Sequence, residues 1–501
     1  MFKKLILICS GLSISSFVFA LTAAEIKTES YFESIKANPQ KLYTLIKAMP
    51  KGGDLHNHLS GSSYAEQLIS YTTNDPLCLN HQTFTVFHSP NCDQQSFVST
   101  LDKNINLYQE VIDSWSMRNF KETVESGHDH FFSTFAKFAA ISSIHQGEML
   151  AETANRAGLH NESYMEIMFT LDGNASGKLA KQLGWNPDFN LMRKALFSHD
   201  FEGIIKKIPP FLDQKEKAMK SILGCNSANP KPGCQVKVRY LYQASREQPP
   251  EMVFGQLLAG FEAASHDSRV VGLNLVQAED GPFSMRDYSL HMKMVAYLHK
   301  LYPKVTYSLH AGELNQMLAG QEGVKFHINQ AVNLAKSQRI GHGVDIREED
   351  NAEQLLKTMA ENGILVEVNL SSNALILNVK GENHPLPLYL QYGVPLTLST
   401  DDEGVNRSNL SKEYKQAAEA FNLDYLTLKT FARNSLKFSF LPGDSLWVDK
   451  AYQLPHPACQ NDALGSEKPS QPCQKFIKTS EKAAIQWDLE KRFIDFEKIS
   501  A

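Results

Sequence analysis

Past its first twenty-odd residues, the chain has no apolar run of the roughly 20 residues that a membrane span requires. It has no basic excess either: 50 Lys and Arg stand against 55 Asp and Glu, a net charge of −5. That balance argues against nucleic acid as a partner, which would favour a basic surface. No internal repeat, low-complexity tract or interdomain linker is visible, and no Gly-rich phosphate loop follows an early strand. No CxxC occurs, so a cysteine metal site is a poor reading of the seven cysteines. The remaining composition, 42% hydrophobic and 21% charged, suits a chain with a large buried core.

What is present begins with a leader-like segment. Lys3 and Lys4 precede the apolar stretch 5–20, and Val18-Phe19-Ala20 or Leu21-Thr22-Ala23 supplies a small-residue cleavage site. Residues 1–23 therefore read as a signal peptide, with a periplasmic or secreted mature protein and no stable membrane insertion after cleavage. Apart from Cys9, the cysteines fall into close pairs, Cys78 with Cys92, Cys225 with Cys234 and Cys459 with Cys473. Local disulfides are the expectation in an oxidising compartment, although six cysteines permit other connectivities.

Eight β-rich runs alternate with helical stretches: Gly53–Leu59, Tyr164–Phe169, Val236–Ala244, Val270–Val276, Val305–His310, Ile340–Ile346, Ile364–Asn369 and Pro395–Ser399. Several are almost continuously apolar or β-branched, as buried parallel strands are. The expected fold is α/β, a closed (β/α)₈ TIM barrel, with an open doubly wound sheet as the alternative. Residues 24–501 then form one barrel domain with a short N-terminal helical extension and a C-terminal disulfide-bearing tail. About a hundred residues separate the first two strands, more than a simple crossover uses. This insertion carries Phe120, Phe131, Phe132, Phe135 and Phe138 and leaves from a C-terminal strand end, which predicts a lid or pocket wall.

Chemistry-bearing residues gather at the predicted C-terminal strand ends. Strand alternation puts His56 and His58 on one face. Further along stand His310 and Glu313 in SLHAGE, His342 in RIGHGVDI, and Asp401 and Asp402 in LSTDDEGV. Three histidines and an aspartate match a divalent metal's N and O ligands, leaving Glu313 and His342 as titratable neighbours.

These motifs, with HNHLSG and the internal NLSSN, resemble the adenosine/AMP deaminase family of metal-dependent hydrolases over about residues 49–440. The opening MPKGGDLHNHL and the exported, disulfide-bearing character look most like its secreted growth-factor-related branch and bacterial relatives. The resemblance implies one zinc held by His56, His58, His310 and Asp401, with metal-activated hydroxide attacking C6 of adenosine or 2′-deoxyadenosine to give inosine and ammonia. Glu313 would protonate purine N1, His342 would orient the attacking water, and the Asp402 carboxylate would accept a hydrogen bond at N7. Gly312, Ser60 and Gln277 complete the expected substrate contacts. Ser60 stands where many members carry an acid that binds ribose, and Gln277 where they carry a glycine.

Glu279 and Asp280 read as substrate contacts or as solvated or capping groups. AMP, adenine and N6-substituted adenosine are alternative substrates. AMP would need a basic clamp, for which Arg407 is the one candidate, though surface solvation fits it better. A signalling or binding protein on the same fold is the alternative outside enzymology, and a homodimer through N-terminal helices is a further implication of the branch. A cytidine-type deaminase is excluded by the missing PCxxC signature. A two-metal centre is disfavoured because the fourth strand offers Asn274 and Gln277 in place of Lys or His.

Overall fold

In a computed structural model, which describes residues 21–89, 91–93 and 96–500, the β-rich runs become the inner wall of a barrel. The strands in chain order are β1 (Gly53–His58), β2 (Leu77–Leu79), β3 (Val86–His88), β4 (Tyr164–Phe169) and β5 (Lys237–Ser245). They continue with β6 (Val270–Val276), β7 (Thr306–Ala311), β8 (Arg339–His342), β9 (Leu365–Val368) and β10 (Leu396–Leu398). Eight of them form one parallel sheet in the order β1-β4-β5-β6-β7-β8-β9-β10. The ring closes at a parallel bridge between Asn57 and Asp401. There the His58 N–H donates to the Asp401 carbonyl at 3.0 Å, and the Asp401 N–H donates to that of His56 at 2.8 Å. A closed ring leaves no open edge, so the TIM-barrel expectation holds and the doubly wound alternative falls.

The strands behave as their sequences require. Tyr164–Phe169 and Val270–Val276 coincide with the predicted runs because apolar, β-branched segments fill a sheet covered on both faces. Ile340–Ile346 does not. The strand there ends at His342, because His342 and Gly343 take φ of 70° and 60° and turn the chain out of the ladder. The helix Ala352–Asn362 stops at Gly363, whose φ is 65°.

The insertion between β1 and β4 holds the β2–β3 hairpin, tied by Cys78–Cys92, and the helix Gly127–Ser142. Ser126 caps that helix by accepting from the Asp129 N–H at 3.0 Å. Cys225–Cys234 and Cys459–Cys473 are also bonded, so all three nearest-neighbour pairings occur. At the termini, the helix Ala23–Ile35 packs with Glu481–Ser500 through Phe32, Tyr425 and Phe496. Thr22 caps Ala23–Ile35 in a reciprocal box with Glu25. Residues 1–20 of the expected leader lie outside the described residues. Among those described, no helix is long and apolar enough to cross a membrane.

Candidate active site

The four predicted ligands come from three strand ends and reach one point. Alternation along β1 turns His56 and His58 inward, β7 supplies His310, and the turn after β10 supplies Asp401. The His310 Nε2 lies 3.1 Å from His56 Nε2 and 3.2 Å from His58 Nε2. Asp401 Oδ1 is 3.3 Å from His58 Nε2 and 3.6 Å from His56 Nε2. Donors on metal bonds of about 2.0–2.1 Å in a tetrahedron stand about 3.3 Å apart, so these edges are those of a single cation's shell.

The far ring nitrogens fix the tautomer of each neutral ring. His56 Nδ1 meets a Glu367 carboxylate oxygen at 2.8 Å, His58 Nδ1 the Gln243 amide oxygen at 3.0 Å, and His310 Nδ1 that of Asn274 at 2.9 Å. Each partner is an acceptor, so each Nδ1 carries the hydrogen and each Nε2 presents a lone pair. Three lone pairs and a carboxylate oxygen this close repel one another unless a cation sits among them. The residues present fit a metal.

Electrostatics agree. Burial holds His58 down to about 4 and His310 well below the ordinary range. Burial also opposes charge on His56, but its hydrogen bonds to Asp401 and Glu367 raise it to about 10. Carboxylates that favour a proton there favour a metal's charge equally. The Asp401 carboxyl, despite burial, is lowered by the three facing histidines His56, His342 and His58.

Close packing sets this geometry. A Cβ at Gly341 would meet His56 Cε1 at 2.7 Å, and one at Gly61 would meet Asp402 Oδ1 at 1.9 Å. Gln277, His342 and Asp401 take φ of 79°, 70° and 60°, a region costly for side-chain-bearing residues. Each is a residue the sequence had singled out for the site.

Glu313 and His342 stand beside the ligands, with His342 Nε2 at 3.6 Å from Glu313 Oε1 and 3.9 Å from Asp401 Oδ2. Burial, with the Asp401 charge next, raises Glu313 well above the usual carboxylate range. The same two causes raise Asp402. A cavity of about 490 Å³ opens over this group. Ser60, Gln277, Glu313, Asp401 and Asp402 line it, and Phe131, Phe132, Phe135 and Phe138 form an apolar wall. The insertion is thus a pocket wall. Phe131 and Phe138 are at the same time buried in the core. His128 Nε2, on the same helix, meets Asp280 Oδ1 across the mouth at 3.0 Å.

Three more of the residues named from the sequence have definite partners. Gly312, expected to touch substrate, has its N–H turned to Glu279 Oε1 at 3.1 Å, while its carbonyl accepts from Val344 at 2.7 Å. It is a turn residue beneath the site. Arg407 forms a two-pronged ion pair with Glu66, at 2.6 and 2.8 Å, and does not line the cavity. Gln277 keeps its side chain at the rim, where its amide oxygen accepts from the Glu247 N–H at 3.0 Å.

Glu279 is the largest correction. It is 1% exposed and touches neither solvent nor the cavity. Its carboxylate accepts from the N–H groups of Gly312, at 3.1 Å, and Glu313, at 2.9 Å, and lies 2.6 Å from His327 Nδ1. Burial alone would raise it, yet the Arg246 charge and the His327 hydrogen bond hold it below the usual range. Arg246 also donates to the carbonyls of Gln277 and His310. Together they clamp the turn that carries Glu313. Glu279→Gln presents an NH₂ where a backbone N–H needs an acceptor. We expect kcat to fall about 10- to 100-fold with metal content retained. A variant with wild-type kcat would remove Glu279 from the positioning of Glu313.

A parallel barrel with four convergent metal-ligand-type side chains at its C-terminal strand ends has the arrangement that barrel active sites use. Residues 213–446, which hold His310, Glu313, His342, Asp401 and Asp402, match the family model described as adenosine deaminase. HNHLSG precedes the matched span. The adenosine deaminase of Shewanella pealeana is 32% identical over 155 residues, 29% of this chain and 46% of that protein. The match thus spans about half the length of that curated relative. An adenine deaminase from Arthrobacter aurescens shares the fold at 16% identity and a TM-score of 0.50, covering 78% of this chain and 94% of its own. An amidohydrolase from Burkholderia ambifaria with bound zinc does so at 17% identity and a TM-score of 0.50, over 97% of both chains.

Proposed function

We propose that this chain is a zinc-dependent adenosine deaminase, converting adenosine or 2′-deoxyadenosine and water to inosine or deoxyinosine and ammonia. The observation that carries the reading is the pairing of the four convergent lone-pair donors with two carboxyls, Glu313 and Asp402, that face the same cavity. His56, His58, His310 and Asp401 would hold one zinc, which when bound makes water nucleophilic near neutral pH.

Glu313, its carboxyl kept protonated by burial, donates that proton to purine N1, so C6 becomes electrophilic. His342, buried between Glu313 and Asp401, orients the attacking water. Asp402 acts in the opposite sense to the sequence-based expectation. Purine N7 carries a lone pair and no hydrogen, so Asp402 must donate to it, and its raised proton affinity suits a donor. Ser60 faces the cavity as a sugar-hydroxyl partner, and the Phe wall covers the base.

Nucleoside is favoured over nucleotide because no Lys or Arg is among the described lining residues. His128, the imidazole on the cavity lining, is already held by Asp280 and Asp129, each at 3.0 Å. Three disulfides support a periplasmic or secreted setting.

Ammonia release from adenosine, deoxyadenosine, AMP, adenine and N6-methyladenosine, with and without a chelator, tests the reading. The two nucleosides should exceed AMP by about 100-fold in kcat/KM, since a phosphate finds no charged partner. Chelation should abolish turnover and zinc should restore it. AMP or adenine as the best substrate would refute the nucleoside reading. A zinc-loaded protein inert on every adenine compound would refute deamination.

A further inference from the structure

His342 can orient a water in two ways, as a hydrogen-bond donor or as an acceptor. Which one applies depends on the ring nitrogen that carries the hydrogen. A chain of hydrogen bonds reaching away from the site settles it.

The chain begins at a backbone N–H, which can only donate. The Leu386 N–H donates to His384 Nδ1 at 3.1 Å, so Nδ1 of that buried ring holds a lone pair. A neutral imidazole has one hydrogen, so His384 Nε2 carries it and donates to Asn373 Oδ1 at 3.1 Å. The amide orientation of Asn373 follows. If its NH₂ faced His384, both nitrogens of that ring would have to accept, which no neutral imidazole does. The Asn373 NH₂ therefore turns to His342 and donates to Nδ1 at 2.9 Å. A second amide NH₂, that of Asn369, approaches the same Nδ1 at 3.4 Å. The Asn369 NH₂ also stands 3.5 Å from Nε2 and so does not discriminate; the closer Asn373 donor makes His342 Nδ1 the lone-pair nitrogen and leaves the hydrogen on Nε2. That nitrogen faces Glu313 and Asp401.

We propose that Asn373 and His384 are positioning residues that lock His342 in its neutral Nε2–H form, so that it offers a donor to the water oxygen. Both are fully enclosed, and neither is among the residues lining the cavity. Asn373 belongs to NLSSN, part of the resemblance, for which the ligand set and acid–base groups had no use. In that tautomer His342 presents Nε2–H as a donor on the side of Glu313 and Asp401. This inference rests on the deaminase reading for its kinetic consequence alone; the tautomer is a property of the fold.

Ring-¹⁵N-histidine NMR on the zinc-loaded full chain tests it, with the His342 signals identified by their loss in His342→Gln. In the wild type, the nitrogen bonded to hydrogen should be Nε2 and the pyridine-type nitrogen Nδ1. Asn373→Asp replaces a donor with an acceptor of the same size, and should move the hydrogen to Nδ1 or place one on each nitrogen. The same variant should lower kcat about 10- to 100-fold with little change in KM, as loss of an orienting partner does. A wild-type signal with hydrogen on Nδ1 overturns the proposal, as does an Nε2–H form that survives in Asn373→Asp. If Asn373→Asp does not fold, the wild-type spectrum alone decides. An Nε2–H ring in a protein that deaminates nothing supports the relay and overturns the deaminase reading, so the two fail separately.

Discussion

Glu313→Gln lowers kcat/KM for adenosine by about 10³-fold while metal content and thermal stability stay at wild-type values. Glutamine matches glutamate in size and can still donate an N–H to purine N1. It cannot give that hydrogen up, so C6 never gains the electrophilicity that a protonated ring supplies. General acid catalysis by one positioned group is worth about 10²–10⁴-fold. The upper half of that range applies because the site is enclosed: Glu313 is buried beside Asp401, with His342 Nε2 3.6 Å away. The ligand atoms are untouched, so bound zinc per chain should match the wild type. Steady-state kinetics and metal analysis on the same preparation check this. Full activity in the variant would show that the N1 proton comes from elsewhere.

Arg339→Met destabilises the fold by about 3–5 kcal/mol and weakens the metal site from a distance. Arg339 is almost fully enclosed inside the barrel, on β8. Its Nε lies 2.6 Å from Glu367 Oε1 and its Nη2 2.5 Å from Glu166 Oε2, while Phe440 stacks on the guanidinium at 3.7 Å. Burial would raise Glu367, yet the Arg339 charge and the His56 hydrogen bond hold it below the usual carboxylate range. Methionine fills the volume and leaves two carboxylates with no cation between them. One or both take up protons, and a protonated Glu367 no longer holds His56 Nδ1–H in place. Metal affinity should fall about 10- to 100-fold. Arg339→Lys keeps the charge without the planar fork and should lie between the two. A thermal melt with a zinc-binding titration checks the pair of effects. An Arg339→Met protein with wild-type stability and wild-type zinc affinity would show that this network carries neither.

Much of the site was legible because the chemistry repeats where the fold repeats. The HxH spacing in β1 puts two imidazoles on one face by strand alternation alone. His310, Glu313, His342, Asp401 and Asp402 each follow an apolar β-branched run, and a barrel gathers such positions at one end. Glu367, Asn274, Gln243 and Arg339 were not legible as partners. Each is a lone polar residue within an apolar strand, and nothing local says whether it faces core, neighbour or ligand. The pairs they form, such as His56 with Glu367, span 311 residues of chain. Glu279 illustrates the same limit: beside Asp280 in a short polar loop it read equally as a substrate contact, a solvated acid or a cap, and only the return of β7 beside β6 covers it.

The sequence by itself carried the α/β alternation, eight β-rich runs, three close cysteine pairs and the strand-end positions of His56, His58, His310 and Asp401. These depend on periodicity and spacing within a few residues, which local sterics translate directly into geometry. The tertiary structure alone decided which partner each histidine nitrogen meets and which carboxyls have their proton affinity raised. It also decided how Gly312 is used and where the strand after Ile340 ends. Those depend on burial and on partners brought within about 3 Å by ring closure, and no local pattern encodes such distances.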